Sequence, residues 1–110
     1  MLIEKKENYT LLISDEHKFS SFYNSFLEAE KSLKNEHIVI QISDNLNSTE
    51  KDFSVFLNIV EKRKENGTSF VVICSNIDVD SFPETVNIVP TLVEAEDIIE
   101  MEAIERELEF

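Results

Sequence analysis

Residues 43–74 read SDNLNSTEKDFSVFLNIVEKRKENGTSFVVIC, and the reading of this stretch decides the fold. It starts where an apolar strand ends, crosses a polar loop and enters a helix near Ser48 or Thr49. Phe53, Phe56, Leu57 and Val60 lie on one stripe of that helix. Asn66-Gly67 predicts its end, because glycine suits the left-handed position after a C-cap. FVVICS (70–75) is apolar at successive positions, the mark of a strand covered on both faces. A strand, helix, strand unit closes with a right-handed crossover, which places the loop after the first strand at the carboxyl edge of a sheet. Open α/β sheets bind their ligands at such edges. Asp44, Asn45, Asn47, Ser48 and Thr49 are therefore the predicted partner-binding residues.

Upstream, HIVIQIS (37–43) is a predicted strand with Ile38, Ile40 and Ile42 on one face and Val39, Gln41 and Ser43 on the other. Gln41 and Ser43 predict that the second face is partly wet. Phe19, Phe22, Tyr23, Phe26, Leu27 and Leu33 follow helical spacing and predict a core-facing helix over 19–33. Ser14 or Asp15 is its expected cap and Asn35 its stop. Residues 1–8 (MLIEKKEN) and 9–14 (YTLLIS) read as paired strands with a polar turn over Lys5–Asn8. In the second, Tyr9, Leu11 and Ile13 share one face while Thr10, Leu12 and Ser14 share the other. The greasier side is the one expected to carry helices.

Downstream, NIDVDSFPET (76–85) predicts a loop with a short helical turn, and VNIV (86–89) a last strand broken by Pro90. Thr91 and Glu94 have capping-box spacing, each side chain able to bond the other residue's backbone N–H. The helix they open is expected to run from Leu92 to Leu108, burying Leu92, Ala95, Ile98, Ile99, Ala103 and Leu108. The whole predicts a single α/β domain over 1–110, with a mixed sheet of about five strands. Helices lie mainly on one face, in the order ββαβαβ(short α)βα.

The 110 residues include 23 acidic and 10 basic ones, a formal charge of -13. Phosphate backbones and anionic lipid repel such a chain, so nucleic acid and membrane are not expected partners. The densest basic group, Lys62, Arg63 and Lys64, is flanked by Glu61 and Glu65 and reads as a solvated helix end. No apolar run approaches the roughly 20 residues that span a bilayer, and the N-terminal residues lack the layout of a signal peptide. The single cysteine, Cys74, fits a reducing cytoplasm. One glycine in the whole chain leaves no glycine-rich phosphate loop.

With paired N-terminal strands, the strand-loop-helix of 37–67, the apolar strand 70–75 and the closing PTLVEAEDII, the chain resembles the STAS domain of sulfate transporter tails and anti-sigma factor antagonists. The resemblance covers essentially the whole length. It implies a cytoplasmic, non-catalytic regulatory module whose partner is a protein, such as an anti-sigma factor or a kinase-like regulator. In that family a serine or threonine following an aspartate, at the start of the helix after the central loop, is phosphorylated and breaks the complex. Asn47-Ser48-Thr49-Glu50 occupies that place here without the family's Asp-Ser-Gly or Asp-Thr-Gly. Glu50 falls near the phosphorylated position, and Ser48 and Thr49 are the neighbouring hydroxyls, whose other reading is N-capping. The tail TLVEAEDIIEMEAIERELEF is also similar to that of short bacterial STAS-like chains, some of which carry a ribonuclease Z label. That activity needs clustered His and Asp ligands for two zinc ions, and the chain has only His17 and His37, on different elements.

Other residues invite other chemistry. Asp15, Glu16, Asp44 and Ser75 fall in roughly the places of a receiver domain's acidic pair, acceptor aspartate and hydroxyl, but Pro90-Thr91 stands where the receiver lysine belongs. A phosphoryl-accepting, small-molecule or nucleotide-binding domain built on Asp15, Glu16 and Asp44 is thus the alternative reading. Cys74, mid-strand among apolar residues, is expected to be an inert thiol. The eight acidic residues from Glu94 to Glu109 read as a solvated face or a surface for a basic partner. No cofactor or metal is expected.

Overall fold

The computed structural model describes residues 1–43, 54–74 and 86–108. The elements follow the predicted order: β1 (Leu2–Lys5), β2 (Thr10–Ile13), α1 (Phe19–Glu30), β3 (Ile38–Gln41), α2 (Phe56–Glu65), β4 (Phe70–Ile73), β5 (Asn87–Val89) and α3 (Leu92–Leu108). The expected helical turn within 76–85 lies outside the described residues, as do Ser48 and Thr49, but the helix that carries Phe56, Leu57 and Val60 begins only at Phe56, after an N-cap at Val55, which corrects the earlier start expected for it. The sheet is mixed and its strand order is sequential, β1-β2-β3-β4-β5. β1 pairs antiparallel with β2, and every later neighbour is parallel. Register runs straight across the interior, with Leu12, Ile40 and Val72 in one row.

Strand alternation sorts the apolar side chains into two cores. Leu12, Ile38, Ile40, Phe70 and Val72 meet Phe19, Phe22 and Phe26 of α1 and Phe56 and Val60 of α2. Leu11, Val39, Val71 and Ile73, from the opposite face, meet Ala95 and Ile99 of α3. The crossovers β2-α1-β3 and β3-α2-β4 step in the same direction with their helices on the same face. They therefore share one hand, as the right-handed rule requires. α3 follows the last strand and is bound by no crossover, so it is free to cover the other face.

This arrangement corrects the one-sided expectation drawn from β2. Among the described residues the greasier side, Tyr9 and Leu11, faces α3, and the pair of helices covers the side bearing Thr10, Leu12 and Ser14. Thr10 and Ser14 are nonetheless buried, because each hydroxyl has a partner. Thr10 Oγ1 donates to Glu36 Oε1 at 3.1 Å, and Ser14 Oγ accepts the Ser43 N–H at 2.7 Å. The prediction of a partly wet second face holds at its carboxyl end, where Gln41 is exposed and Ser43 half-buried.

Helix ends were read less well than helix faces. α1 stops at Glu30 rather than Leu33, and its N-cap is Lys18 with no side-chain cap. Ser14 is engaged across the sheet and Asp15 with the N-terminal ammonium. Leu33 is buried from the turn that follows, while Leu27 and Leu108, both expected inside, are exposed. α2 ends in a Schellman motif. Gly67, at φ +74°, allows its own N–H to reach Lys64 O and that of Thr68 to reach Arg63 O. At α3 half of the capping box forms: the Glu94 N–H donates to Thr91 Oγ1, but the Glu94 carboxylate accepts from the Thr91 hydroxyl instead of its N–H.

Phe56 is the hinge of the larger core. Its ring lies 5.5–6.0 Å from those of Phe19, Tyr23, Phe26 and Phe70, mostly edge-on or tilted, the geometry that aromatic quadrupoles favour. Phe56→Ala is expected to cost about 3–5 kcal/mol in urea unfolding. Leu27→Ala, on the exposed side of α1, should shift stability by less than about 1 kcal/mol.

Candidate functional site

The residues predicted at the carboxyl edge, Asp44, Asn45, Asn47, Ser48, Thr49 and Glu50, lie outside the described residues, as does Ser75. Asp15 and Glu16 are described, and both carboxylates hold the Met1 ammonium. That ammonium and local N–H groups pull the Asp15 pKa below its ordinary value. For Glu16, burial pushes upward but the same donors outweigh it, and its pKa is also lowered. The described parallel strands follow sequence order without reversal, so they do not form the crevice that a topological switch point opens in a doubly wound sheet.

The polar groups that the fold does bring together sit at the other edge, where the parallel strands begin. Thr10 N donates to His37 O at 2.8 Å and Ile38 N donates to Ser69 O at 3.0 Å. The Ser69 N–H in turn donates to His37 Nδ1 at 2.9 Å. An accepting Nδ1 makes His37 the neutral tautomer with its proton on Nε2. From α3, Arg106 Nη1 donates to Ser69 Oγ at 3.3 Å, and Tyr9 Oη donates to Glu96 Oε2 at 2.8 Å. Ser69 therefore uses its N–H, carbonyl and hydroxyl to join β3, β4 and α3. Burial, then the bond to Glu96, pushes the Tyr9 phenol up to about 12, which keeps it a donor at neutral pH.

Arg63 completes this edge. It is buried, and its guanidinium closes off the turn after α1. Nη1 donates to Glu36 O at 2.8 Å and Nη2 to Leu33 O at 3.1 Å, with Glu30 Oε1 at 3.3 Å. This corrects the reading of Lys62, Arg63 and Lys64 as a uniformly solvated end: the lysines are exposed and the arginine is not. The signal was present in the spacing, since Arg63 continues the inward stripe of Phe56 and Val60 at i, i+4, i+7. Arg106 likewise continues the stripe of Ala95, Ile99 and Glu102.

Two open clefts flank the network. One of about 460 Å³ lies beside Tyr9, His37, Glu96 and Glu100, and one of about 470 Å³ beside Lys64, Thr68, Glu102 and Arg106. Of the groups around them, Tyr9 bonds Glu96, and His37 and Arg106 both bond Ser69, so what these bonds do is tie strand beginnings to α3. Among the described residues no three His, Cys, Asp or Glu side chains converge as a metal site, and no helix is long and apolar enough to cross a membrane. His17 is exposed and Cys74 is buried. In comparisons with known proteins, no family model and no curated protein matches the chain.

Two expectations follow from this edge. Arg63→Ala leaves the Leu33 and Glu36 carbonyls without their donor and should cost roughly 2–4 kcal/mol in urea unfolding. Arg63→Lys should recover only part of it, because an ammonium cannot reproduce the fork. His37 has its pKa lowered by burial and by Arg106 and Arg63, against the pull of Glu102. The native state thus favours neutral imidazole, and below the ordinary value of 6.5 the unfolded chain binds more protons. The stabilising contribution is complete above pH 6.5 and is lost as pH falls through the depressed native pKa. Unfolding free energies of the native chain and His37→Asn, compared at intervals from pH 7.5 downward, should show a steeper acid loss in the native chain.

Proposed function

We propose that the chain is a non-catalytic protein-interaction module of STAS type, which binds a protein partner. The observation that carries this reading is the outer face of α3. Val93, Met101, Ile104 and Leu108 are 67%, 58%, 51% and 69% exposed, while Ala95 and Ile99 of the same helix are buried against the sheet. One helix thus has two apolar faces, and among the described residues only the inner one is packed against the sheet. Large side chains exposed in a row on one helix mark an interaction surface more often than scattered single ones do. The order of strands and helices supports the STAS reading, and the acidic surface supports a protein with a basic face over nucleic acid or anionic lipid. Residues 44–52, which follow β3 in the chain, are the second proposed docking element, on the strength of their polar side chains.

A stoichiometric partner recovered from native lysate should be lost with the Met101→Gln/Ile104→Gln double variant, or with alanine at Asp44, Asn45, Asn47, Ser48 and Thr49. Retention of that partner by both variants, each folded by circular dichroism, would falsify the reading.

A further inference from the structure

Resting on the interaction reading, we infer that the outer face of α3 docks a cationic amphipathic helix of a partner protein, with a partner lysine or arginine seated against Asp97. The exposed apolar residues Val93, Met101, Ile104 and Leu108 stand 8, 3 and 4 positions apart, and Asp97 fills the gap between the first two. The resulting series 93, 97, 101, 104, 108 steps by four, four, three and four residues, which is the seam of a helix-helix contact. It extends over about 22 Å at 1.5 Å per residue. Helical geometry sets Glu100 and Glu107 along one border of this seam and Glu94 and Glu105 along the other, all of them exposed.

Charge decides what can lie there. Arg106 is the only basic residue of α3, and it points inward to Ser69 Oγ. A second copy of this helix would set rows of carboxylates against each other and Asp97 near a partner's acidic border, and like charges at an interface exclude a partner. A helix with leucines facing the seam and lysines or arginines on its borders reverses every one of those contacts. Asp97 then acts as the polar position that fixes register, since only a partner that places a cation opposite it avoids leaving a carboxylate unpaired at the contact.

The test uses the full chain and a synthetic helix-forming peptide of three heptads, with leucine at seam positions, lysine at the borders and one lysine at the central seam position. A control peptide carries glutamate for every lysine. Fluorescence anisotropy should show the lysine peptide binding with micromolar affinity, weakened at least about tenfold by Met101→Gln/Ile104→Gln and about tenfold by Asp97→Asn. The glutamate peptide should not bind. Raising the salt should weaken binding without abolishing it, since the apolar part remains. Equal binding by the double variant, or by the glutamate peptide, overturns the proposal. So does a dimer of the chain alone in sedimentation velocity that the double variant dissolves, for then a second copy occupies the face. Failure of the lysine peptide while a lysate partner is still lost with the double variant rejects the cationic helix and leaves the interaction reading standing.

Discussion

Val39, Val71 and Ile73 leave the sheet on one side, and Ile38, Ile40, Phe70 and Val72 leave it on the other. Burying both sets at once is the constraint on which the rest of this structure depends. A parallel sheet is built by crossovers, and crossovers of one hand that step in one direction put their helices on one face. α1 and α2 obey that rule and leave the second face open. Among the described elements α3 covers it, with few inward apolar residues, chiefly Ala95 and Ile99.

The buried polar groups follow from the same constraint. Where parallel strands begin, the backbone runs from turn to strand beneath packed helices, and its N–H and carbonyl groups need partners that water does not supply. Ser69, His37 and Arg63 provide them, and Arg106 and Glu96 attach α3 to the same edge. The histidine and the arginines therefore serve cohesion at this edge. Their side chains are held by hydrogen bonds to backbone groups, to hydroxyls and, for Arg63, to the Glu30 carboxylate.

With its inner face thin, α3 is a helix whose composition exceeds what the fold requires of it. Seventeen residues would need only one apolar stripe to lie on the sheet. The second stripe, bordered by carboxylates, is left exposed, and this separates it from the polar network as the proposed docking surface. Charge of one sign around an apolar seam favours a partner of the opposite sign and speeds its approach.

Periodicity by itself determined which residues would be strands and helices, because alternation and the 3.6-residue repeat are local consequences of where side chains point. It determined the glycine-terminated end of α2, the start of α3 at Thr91 and the interior position of Phe70–Ile73. Tertiary structure alone decided that α3 lies opposite α1 and α2, since the hand and direction of crossovers are properties of strand order, which no local pattern encodes. It also decided the fates of residues whose type permits two. Arg63 is buried and its neighbouring lysines are not, Thr10 and Ser14 are buried on the less apolar face of β2, and Leu108, expected inside, is exposed. In each case burial is set by the element packed alongside, and for polar groups by the hydrogen-bond partner it brings.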